Sequence, residues 1–69
     1  MKPTARDRAD ADLALAMDRT AFDRGGPQLL NDTEHVAVTR ISRGEELDGA
    51  LDRRRAWAAI KRVLGDRTG

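Results

Sequence analysis

The chain has 69 residues, 13 Lys and Arg against 12 Asp and Glu, no cysteine, one histidine, and only Trp57 and Phe22 as aromatics. That length allows one small domain, residues 1–69, with a marginal core. Without cysteine there is no disulfide or thiolate metal site, one histidine excludes a multi-histidine metal site, and a net charge of +1 is not the basic balance of a non-specific nucleic-acid binder.

The first predicted element is a helix over about 4–24. Thr4 followed by Asp7 fits a capping box, and good helix formers run to Arg24 without an interior Gly or Pro. The sequence GGP at 25–27 ends it: Gly25 or Gly26 can take the left-handed position, and Pro27 cannot continue a helix. Ala9, Leu13, Ala16, Met17 and Thr20 form one stripe, and Ala11, Leu15 and Phe22 form another on nearly the opposite side. Two stripes predict contacts with two surfaces.

The second element reads as a strand or short hairpin over about 35–41. NDTE at 31–34 is turn chemistry, and HVAVTRI is β-branched and alternating. A lone strand needs a partner for its N–H and C=O groups, either within the chain or on a second copy, which points to a homodimer.

The third element is a helix over about 43–64. Ser42 and Glu45 match a capping box, and Leu47, Ala50, Trp57, Ile60 and Leu64 recur at helical spacing. Gly49 is a candidate break into pieces 43–48 and 50–64, and Gly65 is the natural stop. Residues 1–3 and 66–69 are expected to fray. The expected class is a helix-dominated α+β single domain.

Catalytic constellations are few. A Ser–His pair must use Ser42 and His35, which face opposite sides of a regular strand. Glu45, Glu46 and Asp48 in the first turns of a helix are dipole partners before they are an acid–base pair. No phosphate loop or metal-ligand spacing occurs, so no enzyme activity, small-molecule substrate, metal or cofactor is expected.

The stretch DRRRAWAAIKRVLG at 52–65 carries most of the remaining signal. Trp57, Ile60 and Leu64, with Arg54 and Lys61 around them, have the composition of a protein interface: a large apolar centre with a basic rim. The alternative is DNA contact through Arg40, Arg43, Arg53, Arg54, Arg55, Lys61 and Arg62, opposed by the acids just upstream. A ribbon-helix-helix arrangement is the best geometry for that alternative, because it begins with a strand such as HVAVTRI. The piece EHVAVTRISRG is similar to strand-turn segments of some bacterial antitoxins. Its glycine spacing differs from theirs and an N-terminal strand is missing, so no family is assigned on it.

Eleven of the 13 basic residues are arginine, a sign of GC-rich coding and of a bacterial or phage source. No apolar run could span a bilayer, and MKPTARDRAD lacks the apolar core of a secretory signal. A cytoplasmic location is expected, in the host cell for a phage protein. The sequence thus points to a small non-enzymatic regulator or inhibitor that binds a protein partner, as a homodimer, with DNA-dependent transcriptional regulation as the alternative.

Overall fold

The structure, a computed structural model, describes residues 2–65. Three helices follow in chain order: α1 (Ala5–Asp23), α2 (Asp32–Ser42) and α3 (Ala50–Leu64). No strand occurs among the described residues, so the expected α+β class is corrected to an all-helical domain. The frayed tail expected at 66–69 lies outside the described residues, as does Met1; Lys2 and Pro3 precede the first helix.

The first helix has the expected ends. Thr4 Oγ1 accepts from the Asp7 backbone N–H at 3.1 Å, and Asp7 Oδ2 accepts from the Thr4 N–H at 2.9 Å. At the other end Gly25 takes φ +78°, with Gly25 N–H donating to Phe22 O and Gly26 N–H to Ala21 O, both at 2.9 Å. That pair of bonds is a Schellman motif. A side chain at Gly25 would be strained in the left-handed conformation.

The stretch expected as a strand, 35–41, lies inside α2. Asn31 Oδ1 accepts from the Glu34 N–H at 2.8 Å and Glu34 Oε1 accepts from the Asn31 N–H at 3.0 Å, a complete capping box where turn chemistry was expected. The C-terminus repeats the Schellman pattern: Gly44, at φ +78°, donates to Ile41 O, and Glu45 N–H donates to Arg40 O. Val38 and Ile41, three residues apart and so on one helical face, are 0% and 2% exposed. Burying such side chains contributes about 1.5–3 kcal/mol each, more than the few tenths per residue that β-branching costs a helix. The strand edge that motivated a dimer, and with it the strand of a ribbon-helix-helix, is not present.

The third expected element is corrected at its start. Ser42 closes α2, where its Oγ donates to Thr39 O at 2.8 Å, and residues 43–49 form the loop. Gly49 is the N-cap of α3, so Gly49 does separate the two stretches, and only the later one is helical.

The core combines Ala11 and Ala14 of α1, Leu30, Val38 and Ile41, Leu47 of the second loop, and Ala56, Ala59, Ile60, Val63 and Leu64 of α3. Alanine on the inner face of α1 lets α2 and α3 approach its backbone closely. Of the two stripes expected on α1, Ala11 is buried and Leu15 and Met17 pack at the edge of the core; Ala9, Leu13, Ala16, Thr20 and Phe22 are exposed. A single inner face of α1 therefore meets both other helices.

Asp18 is the one buried charged residue in that face, 8% exposed. Its Oδ1 accepts from the backbone N–H groups of Leu29 at 2.8 Å and Leu30 at 3.0 Å, which fixes the loop entering α2. Asp18→Ala leaves two donors without that acceptor, one of them on fully buried Leu30. It is expected to cost about 2–3 kcal/mol in urea unfolding, against less than about 0.5 kcal/mol for exposed Asp12→Ala. Equal midpoints for the two variants would show that the carboxylate does not hold the loop.

Candidate binding face on α3

The third helix carries five cations, Arg53, Arg54, Arg55, Lys61 and Arg62, against one acid, Asp52. Residues 25–49 carry the opposite imbalance, with Asp32, Glu34, Glu45, Glu46 and Asp48 against Arg40 and Arg43. The near-neutral total thus hides two unlike regions. Helical spacing then sorts the cations of α3 by what they face.

Arg62 points along the α2 side. Its Nη1 donates to Glu34 Oε2 at 2.9 Å, and its Nη2 donates to Glu34 Oε1 at 2.7 Å and to Leu29 O at 2.9 Å. This two-pronged contact is the geometry that makes an Arg–carboxylate pair strong for its exposure. Arg62 and the backbone N–H of Asn31 together hold the Glu34 carboxyl below its ordinary 4.5, and Glu34 holds the guanidinium of Arg62 above its ordinary value. Arg53, on the α1 side, donates from Nη1 to Leu47 O at 3.0 Å. Arg40 on α2 donates to Glu46 O at 3.1 Å and approaches Glu45 Oε1 at 3.4 Å. Three of the seven cations considered for DNA contact are thus engaged in the fold itself.

The other cations of α3 face outward. Arg54, Arg55 and Lys61 are exposed and have no ion-pair or hydrogen-bond partner among the described residues. Arg54 and Lys61 lie seven residues apart, two turns along one side of the helix. Between the cations lie exposed Ala58 and Leu51, the latter 56% exposed. Arg43, exposed at the C-cap of α2, lies outside this face.

The apolar residues expected at an interface are placed differently. Ile60 and Leu64 are 2% and 7% exposed in the chain's own core. Trp57 is half-buried and packs against that core. It also lines a pocket of about 280 Å³ with Asp7, Glu45 and Arg53. Sequence spacing marked these three correctly as one apolar face, but the helices that cover it belong to the same chain. Leu51, by its exposure, lies on the outer surface.

His35 is exposed on α2. It lies seven residues before Ser42, so the two stand about 10.5 Å apart along the helix axis, beyond hydrogen-bonding reach. No three His, Asp or Glu side chains converge to hold a metal ion among the described residues, and no helix there is long and apolar enough to cross a membrane. No protein-family model, curated protein or solved structure matches the chain.

The Glu34–Arg62 contact has a pH signature. The carboxyl titrates lower in the folded chain than its ordinary 4.5, so the folded state favours the anion. The resulting stability is complete above that ordinary value and fades as pH falls through the lowered one. Arg62→Ala is expected to cost about 1 kcal/mol at pH 7, discounted for the exposure of the arginine, with the difference from the parent shrinking as Glu34 protonates. Unfolding midpoints between pH 7 and about 3 check this. A difference unchanged across that range would contradict it.

Proposed function

We propose that the protein is a non-enzymatic regulatory or inhibitor module that acts by binding another protein through the outer face of α3. One observation carries this reading: Arg54, Arg55 and Lys61 stand without partners among the described residues around exposed Leu51 and Ala58, with Asp52 the one acid on α3. An apolar centre rimmed by arginine and lysine is complementary to an acidic protein surface with an apolar contact of its own. Two copies meeting symmetrically through α3 bring Arg54 and Arg55 of each against the other, so the partner is read as a different protein.

The same outward cations, with Arg43, favour DNA as the second reading. Two features count against it. Glu45, Glu46 and Asp48 precede the N-terminal end of α3 and Asp52 lies in its first turn, the end that a recognition helix presents to base edges, where acids disfavour phosphates. The connection from α2 to α3 also spans residues 43–49, longer than the three- or four-residue turn of a helix-turn-helix.

Arg54→Glu with Lys61→Glu is expected to leave the unfolding midpoint within about 0.5 kcal/mol of the parent. In a source-cell extract the parent should capture protein that this variant loses, and nuclease treatment should leave the capture intact. Capture that survives the double substitution removes the α3 reading. Capture that disappears with nuclease, and duplex binding that falls steeply with salt, replaces it with the DNA reading.

A further inference from the structure

Two depressions lie end to end along the seam between α2 and α3, and no residue of α1 lines either. One, of about 340 Å³, is bounded by Thr33, Glu34 and Ala37 on α2 and by Asp52, Arg55 and Ala58 on α3. The other, of about 280 Å³, shares Ala37 and Asp52 and continues to Val36 and Leu47. Side-chain size opens this groove: where the two helices face each other, Ala37 and Ala58 supply only methyl groups to fill it. Val36, 60% exposed, forms an apolar lip on the α2 side.

The charges beside the groove are unevenly committed. Glu34 is held by Arg62, and Arg40 contacts Glu45 and the Glu46 carbonyl. Asp52 sits at the first turn of α3. Arg55 lines the α3 wall, and Arg54 and Lys61 lie beyond it on the outer face. The groove therefore has Ala37 and Ala58 along its floor, Glu34 and Asp52 in its walls, and Arg55 on the α3 flank with Arg54 and Lys61 beyond it.

We propose that this groove seats an amphipathic helix of the partner protein, with two apolar side chains in the two depressions and acidic residues along the flank over Arg54, Arg55 and Lys61. This rests on the reading of α3 as the binding face and specifies the form of what binds there. The depressions are centred about one turn apart, since Asp52 is shared and Arg55 and Ala58 follow it at 1.5 Å per residue. Side chains at i and i+4 of a docked helix have that spacing, the pattern by which helices fill apolar grooves. No strand is present among the described residues to accept an added strand, so the helical mode fits the surface as built.

The test is an NMR titration of the isotope-labelled full chain with designed peptides of about 16 residues, some four turns. The first has leucines at i and i+4 with glutamates along one flank. The second has the same composition scrambled, so that no apolar face forms. The third replaces the glutamates with lysines. The first peptide alone should shift the amides of Ala37, Asp52 and Ala58. Ala58→Phe, which fills the larger depression from an exposed helical position, should weaken that binding at least tenfold. Arg54→Glu with Lys61→Glu should do the same. If Ala58→Phe lowers the unfolding midpoint, Ala58→Glu serves as the second variant, placing an acid against the acidic flank.

Equal binding of the first and scrambled peptides, or full binding by Ala58→Phe, overturns the groove and leaves the basic-face reading standing. Equal binding of the lysine peptide overturns the charged flank. No shift at about 1 mM of the first peptide overturns the proposal outright. Shifts on α3 from a short DNA duplex, with none from any peptide, overturn both this proposal and the protein-partner reading.

Discussion

Leu29 is held on both sides of its residue by ionised side chains from different helices. Its N–H donates to Asp18 of α1, and its carbonyl accepts from Arg62 of α3. The same arginine grips Glu34, whose Oε1 also accepts from the Asn31 N–H that opens α2. One short stretch therefore joins all three helices through charge-assisted hydrogen bonds, the stronger kind. Between these contacts Leu30 is driven fully into the core. In a chain this small, with a core of four alanines and seven larger aliphatic side chains, such a polar node fixes how α2 enters the bundle when burial alone specifies it weakly.

That node also determines which part of α3 faces outward. Arg62 is turned inward by Glu34 and Leu29, and Arg53 is turned to the Leu47 carbonyl. The core claims Ala56, Ala59, Ile60, Val63 and Leu64. The remaining circumference presents Arg54, Arg55 and Lys61 with Leu51 and Ala58. A run of three arginines thus divides into one that holds the fold and two that face solvent, because successive helical residues point about 100° apart.

Most of the helical framework was legible in the sequence. Thr4 with Asp7 and the GGP stop fixed α1, and Gly49 marked where α3 begins. The second helix was missed because local alternation of β-branched residues in HVAVTRI outweighed its two end signals. Asn31 with Glu34 is a capping box, and Gly44 is a left-handed stop, each of the kind correctly read on α1. Ser42 with Glu45 matched the same box pattern without forming it, since Ser42 sits in the last turn of α2. A four-residue pattern recurs by chance in a chain with nine aspartates and five threonines, and only agreement between a start, a stop and a buried face separates real caps from accidental ones. The outer face of α3 was legible in part. Arg54 and Lys61 were placed on the surface they occupy, whereas the burial of Ile60 and Leu64 depends on long-range packing against the other helices. The roles of Asp18 and Arg62 depend on contacts 11 to 33 residues away in the chain and have no local signature.

The division of the α3 cations into structural and outward-facing groups decides both what holds the helix and what it exposes. Its most direct test is the unfolding free energy of five single variants, Arg53→Gln, Arg54→Gln, Arg55→Gln, Lys61→Gln and Arg62→Gln, measured side by side in urea. Losses of about 1 kcal/mol are expected for Arg53→Gln and Arg62→Gln, and changes within about 0.5 kcal/mol for the other three. Equal losses across all five, or a larger loss at Arg54 or Lys61 than at Arg62, would contradict it.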